Sequence, residues 1–121
     1  MQIRNNTDKD FLLISGDDML TVPLHSIGGN GLISVLGNAY PDIYKDILAF
    51  CGQGDFEKAS EIAFKTLKIN NLMYQEGNPT GIKQLLSIMG LCHPYVRLPL
   101  VAASGELSGE ISKTYSSNIR Q

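Results

Sequence analysis

The residues whose types could do chemistry are two adjacent carboxylates, seven lysines, two histidines, a lone strand serine and a glycine-rich turn. Asp17 and Asp18 follow Gly16 at the end of an apolar run. Paired carboxylates can hold a metal ion or divide acid and base work. After a strand they also suit the start of a helix, whose N-terminal end favours negative charge, and capping is the role expected of them. A lysine acting through a Schiff base needs a desolvated place that lowers its pKa. Lys9, Lys45, Lys58, Lys65, Lys68, Lys83 and Lys113 all fall outside the apolar strand-like runs, so no catalytic residue is expected among them. His25 and His93 have no Cys, Asp or Glu at ligand spacing, which makes them structural and leaves no metal and no cofactor in the expectation. Ser34 has no histidine beside it, so a hydrolase triad is excluded. Gly28-Gly29-Asn30-Gly31 ends a helical stretch and starts a strand, the reverse of a phosphate cradle, and reads as a tight turn.

The elements that must position these residues are legible in outline. Phe11-Leu12-Leu13-Ile14 and Gly31-Leu32-Ile33-Ser34-Val35-Leu36 are short continuous apolar runs, suited to strands buried on both faces. Residues 17–29 between them have room for a crossover helix with Met19, Leu20, Leu24 and Ile27 as its apolar face, and Pro23 kinks or delays it. Strand, helix, strand makes a βαβ unit with parallel strands. The remainder reads as helical. One helix starts at Pro41, capped near Asn38, carries Ile43, Tyr44, Ile47, Leu48 and Cys51, and stops at Gly52 and Gly54. A second is capped by Asp55 and bears the stripe Phe56, Ala59, Ile62, Ala63 and Leu67. A third begins at Asn78-Pro79 and carries Ile82, Leu85, Leu86 and Met89; Gly90 ends it. Residues 96–101 are extended, and Ser104 caps a last short helix with Leu107 and Ile111. The polar stretch 114–121 is expected to be a flexible tail.

Bulk properties exclude several classes. The chain has 121 residues, a net charge of −2 and 43% hydrophobic residues. There is no basic footprint of a nucleic-acid binder, and no apolar run reaches the roughly 18 residues needed to cross a bilayer. Cys51 and Cys92 stand alone, as reduced thiols in a cytoplasmic protein would. The order is unusual for a complete domain, because two parallel strands cannot cover their own faces and edges. The expectation is an α/β chain that forms the end of a larger one.

Two stretches resemble a known family. Ser15-Gly16-Asp17-Asp18 resembles the signature after the seventh barrel strand of 4-hydroxy-tetrahydrodipicolinate synthases, also called dihydrodipicolinate synthases, and Gly31 to Asn38 resembles their eighth strand. Gly54-Asp55-Phe56, then Glu76-Gly77-Asn78-Pro79 with Lys83, then Arg97-Leu98-Pro99-Leu100 look like the helical extension that follows. Five motifs in order, from Asp10 to Ser104, are specific as a set. The sister sialic-acid lyases and sugar-acid aldolases usually lack Ser-Gly-Asp-Asp at this point.

The resemblance implies a (β/α)8 TIM barrel of which this chain is the C-terminal fragment. Residues 1–52 would hold the last two βα units, 53–113 the helical extension and 114–121 the tail. It implies a lyase of diaminopimelate and lysine biosynthesis, in which a lysine on the sixth strand forms a Schiff base with pyruvate. The resulting enamine attacks aspartate semialdehyde. That lysine, the relay hydroxyls and the entrance arginine all precede the seventh strand and have no counterpart here, so the chain alone is expected to be inactive. The positions matching the family's pyruvate-lining backbone are Gly16 and Ile33. The full-length family implies a homo-oligomer, with pyruvate and aspartate semialdehyde as small-molecule partners and neither nucleic acid nor membrane. The alternatives are a non-catalytic chain that packs on partners, or part of a sister pyruvate aldolase.

Overall fold

The computed structural model describes residues 1–118 and divides into two compact units, Met1–Phe64 and the part from Lys65 onward. In the first unit a short helix α1 (Gln2–Asn5) precedes strand β1 (Ile14–Ser15), which pairs in parallel with β2 (Gly31–Leu32), Ile14 opposite Gly31 and Ser15 opposite Leu32. The expected βαβ unit is therefore present. Asn30 extends the ladder at its start, with its amide oxygen accepting from the Leu13 N–H at 2.9 Å and its own N–H donating to the Leu13 carbonyl at 2.7 Å. The Ile33 N–H extends it at the other end, donating to the Ser15 carbonyl at 2.8 Å.

The strands are not buried on both faces, although their apolar runs suit such burial. Leu12 is 68% and Ile33 74% exposed, and Phe11 and Ile14 are exposed as well; only Ser15 is buried. Burial of a parallel strand on both sides needs further strands beside it and helices outside them. Among the described residues these two strands have only each other as sheet neighbours.

That crossover is shorter than its sequence suggested. A 3-10 turn (Asp18–Leu20) leads into α2 (Thr21–Ser26), and Pro23 lies in the first turn of α2, where a missing N–H costs nothing. Met19, Leu24 and Ile27 are half-buried, but Leu20 is exposed, because the 3-10 geometry rotates it off the apolar face. Gly29 is required by close packing. A Cβ there would stand 2.7–2.9 Å from the side chain and backbone of Leu24.

After β2 comes a second 3-10 turn (Leu36–Asn38) and then α3 (Pro41–Gly52), with Pro41 at its first position and Tyr44, Ile47 and Cys51 buried. Asn38 is not its cap. The Asn38 amide turns back to the carbonyls of Ser34 and Val35, and Tyr40 stands at the cap position with no side-chain bond. Gly54, at φ +76°, ends the segment in a conformation that favours glycine. Asp55 caps the next helix, α4 (Phe56–Tyr74), through the Lys58 N–H at 3.1 Å.

The boundary between units falls inside α4, at Phe64 and Lys65. The stripe of α4 also differs. Ala59, Ile62, Thr66, Ile69 and Met73 follow 3-4-3-4 spacing with buried or half-buried side chains, while Leu67 is exposed. The buried polar residue Thr66 interrupted the apolar pattern and hid its continuation.

In the second unit, α5 (Thr80–Ile88) buries Ile82 and Leu85, and α6 (Gly105–Asn118) buries Leu107, Ile111 and Thr114. Gly81 makes the approach of α5 possible, since a Cβ there would lie 2.6 Å from the Met73 Cα and carbonyl oxygen. Ser104 caps α6 by accepting from the Leu107 N–H at 3.1 Å. The expected flexible tail from Thr114 is helical as far as Asn118, because Thr114 continues the face of Leu107 and Ile111 at i, i+4, i+7. Residues 119–121 of that stretch lie outside the described residues.

Candidate active-site segment

The chemistry-bearing residues of the first unit gather where β1 and β2 end. Ser15 and Ile33 are joined by the last ladder bond, so Gly16 and Ile33 stand side by side at the C-terminal ends of parallel strands. Because the Ile33 N–H is used in that bond, Ile33 can offer a ligand only its carbonyl oxygen and its side chain. Gly16 is held between two bonded neighbours: the Asp17 N–H donates to the Ser15 hydroxyl at 3.1 Å, and that hydroxyl donates to the Asp17 carbonyl at 2.8 Å. Gly16 has no positive φ, and beyond its two chain neighbours no atom of the described residues lies within 4 Å of where its Cβ would be. Neither backbone conformation nor packing within the chain demands glycine there.

The two carboxylates that follow have different duties. Asp17 is exposed and caps its own 3-10 turn, accepting from the Met19 N–H at 2.8 Å, as expected. Asp18 is 3% exposed and reaches across to the loop after β2. One of its oxygens accepts from the N–H groups of Val35 (3.1 Å) and Leu36 (3.0 Å), and the other accepts from the Ser34 hydroxyl. The Ser34 oxygen in turn accepts from the Gly37 N–H at 2.5 Å. Asp18 therefore caps the turn of the opposite loop, not its own. A buried carboxylate requires such partners. Local spacing could not show this bond, whose ends are 16 to 18 residues apart.

No lysine belongs to this cluster. Six of the seven are exposed, Lys83 is half-buried on α5, and none is on β1 or β2. Lys58 pairs with Asp55 at 2.7 Å, which raises the lysine and lowers the aspartate from their ordinary values. His25 is structural: its Nδ1 lies 2.8 Å from the Thr21 carbonyl. His93 stacks near Tyr95 at 5.8 Å. Cys51 and Cys92 are free thiols. A groove of about 420 Å³ runs beside β2, lined by Leu32, Ser34, Pro41, Tyr44 and Leu48 among others. Its walls come from Leu32, from the loop after β2 and from α3.

Loops at the C-terminal ends of parallel strands, with a crossover helix between and further helices after, are the closing part of a (β/α)8 barrel, where such loops face the active site. The model of the dihydrodipicolinate synthetase family matches residues 1–118, and the chain belongs to that family. It is 47% identical over 115 residues to a 4-hydroxy-tetrahydrodipicolinate synthase of Cytophaga hutchinsonii, covering 95% of this chain and 39% of that protein. It is 42% identical over 118 residues to the synthase of Karelsulcia muelleri, covering 98% of this chain and 40% of that one. The crystal structure of dihydrodipicolinate synthase from Aquifex aeolicus superposes with a TM-score of 0.90 at 30% identity over 99% of this chain and 42% of its own. That from Thermotoga maritima gives 0.87 at 32% identity, over 90% and 37%. The chain thus spans about two fifths of the length of these relatives.

Proposed function

We propose that this chain supplies the last two strand ends of the active site, and the helical extension, of a 4-hydroxy-tetrahydrodipicolinate synthase that condenses pyruvate with L-aspartate 4-semialdehyde. The observation that carries this reading is the placement of Gly16 and Ile33 side by side at the C-terminal ends of a parallel pair. In this reading their backbones line the pyruvate pocket. Glycine at 16, which nothing within the chain requires, lets the ligand approach the main chain closely.

The Schiff-base lysine comes from the preceding strands. An iminium formed there draws electrons from the adjacent carbon of pyruvate, and the enamine attacks the aldehyde. This chain's part is to close one wall of that pocket and to hold its spacing. The complete enzyme works in the cytoplasm as a homo-oligomer; no helix among the described residues is long and apolar enough to cross a membrane.

Borohydride trapping with pyruvate, read by intact mass, tests the assignment. The chain alone should give no adduct. A chimera in which this chain replaces the matching C-terminal part of the Cytophaga hutchinsonii synthase should give one adduct per chain and should turn over. A stoichiometric adduct on the isolated chain would overturn the reading, because one of its own lysines would then be the nucleophile.

A further inference from the structure

We propose that Asp18 is a positioning residue for the pyruvate pocket, setting the spacing between the backbone at Gly16 and the backbone at Ile33. The proposal rests on the reading of those two positions given above. Three donors of the loop after β2, the Ser34 hydroxyl and the N–H groups of Val35 and Leu36, converge on one carboxylate of the loop after β1. The first of them is the immediate neighbour of Ile33, and Asp18 is two residues from Gly16.

Each end of this bridge is fixed locally. The Thr21 hydroxyl donates to the Asp18 carbonyl at 2.8 Å, holding the aspartate's own backbone. The Ser15–Asp17 pair holds Gly16, and the Ser34–Gly37 bond holds the far loop. The ladder bond from Ile33 to Ser15 sets the separation of the strands, but leaves each loop free to swing about its last strand residue. The bridge removes that freedom. A cap that served only its own helix would need neither burial nor donors 16 to 18 residues away. Asp17, next door, shows that simpler arrangement.

A ligand bound by backbone groups from two loops is sensitive to their separation, and a displacement of about 1 Å can cost on the order of a hundredfold in productive binding. Loss of the carboxylate should therefore act on pyruvate, which sits between the loops, and much less on the aldehyde substrate.

The test uses the chimera carrying this whole chain. Asp18→Ala should raise the KM for pyruvate by roughly tenfold to a hundredfold, with the KM for aspartate semialdehyde changed less than about twofold and the borohydride adduct still forming at saturating pyruvate. Asp18→Asn keeps the size of the side chain and an oxygen facing Val35 and Leu36, and should recover most of the loss. Ser34→Ala, which removes one of the three donors, should fall between. Gly16→Val serves as the reference for the site itself. If Gly16→Val leaves the pyruvate KM unchanged, the pocket assignment fails. If Gly16→Val raises it and neither Asp18→Ala nor Ser34→Ala does, the pocket stands and the positioning role is refuted. Equal rises in the KM for both substrates in Asp18→Ala, unrecovered by Asp18→Asn, would also refute it, since they would report general loosening.

Discussion

The carboxylate of Glu76 grips Ser104 twice, accepting from its backbone N–H at 2.8 Å and from its hydroxyl. These bonds stabilise the ionised form and hold the Glu76 carboxyl below the usual glutamate range. The same Ser104 oxygen caps α6. A carboxyl depressed in the folded state contributes stability above its unfolded pKa of about 4.3, and that contribution is lost as pH falls through the folded value. The part of the melting temperature that Glu76 contributes should therefore be present at neutral pH and fade below about 4.3. Glu76→Gln should flatten that decline. An acid profile identical to the parent's would show that the Ser104 bonds carry no ionisation-linked stability.

Two glycines on helices should respond with opposite signs. At Gly81 a Cβ would meet the Met73 backbone at 2.6 Å, so Gly81→Ala forces α5 away from α4 and should destabilise by about 1–3 kcal/mol. Gly109 on α6 has open space around it. Gly109→Ala should stabilise by roughly 0.5–1 kcal/mol, because alanine loses less freedom in a helix. Urea unfolding of both variants measures this, and a stabilised Gly81→Ala would contradict the close approach.

Burial divides the apolar residues of the first unit into two groups. Leu36 is fully buried, and Leu36→Ala should cost about 2–5 kcal/mol. Leu12, in a run of the same apparent character, is exposed. Leu12→Lys should change stability by less than about 0.5 kcal/mol in urea unfolding of the chain, as expected for an exposed side chain. A large loss of stability in Leu12→Lys would mean that Leu12 is packed in solution.

The two thiols should react in sequence. Burial pushes the Cys51 thiol above its ordinary pKa and shields it, whereas Cys92 is half-buried. Ellman's reagent at pH 8 should modify Cys92 first and Cys51 only slowly or on unfolding, since the thiolate is the reactive form. Equal rates at both positions would place Cys51 at the surface.

Much of this was legible without coordinates. The parallel pairing followed from two short apolar runs separated by a crossover. The caps at Asp55 and Ser104, the helix start at Pro41 and the stop at Gly54 followed from residue type alone, because the groups that satisfy a helix end lie within a few residues of it. Gly16 and Ile33 were singled out by motif, and that they stand side by side follows from the parallel register. The stripe of α4 was misread past Ala63 because its continuation runs through Thr66, a polar residue that an apolar pattern cannot register. The end of α6 was missed for the same reason at Thr114.

What the sequence by itself determined is the order of elements, the local caps and turns, and the family to which the motifs point, since each is written in residues close together along the chain. Only the tertiary structure decided that Asp18 serves the opposite loop while Asp17 serves its own, that Glu76 holds Ser104 across 28 residues, and that Leu12 is exposed where Leu36 is buried. The physical reason is common to all three. A hydrogen bond or a buried face depends on which groups the folded chain brings within about 3–4 Å, and no periodicity in the sequence encodes a meeting between distant segments.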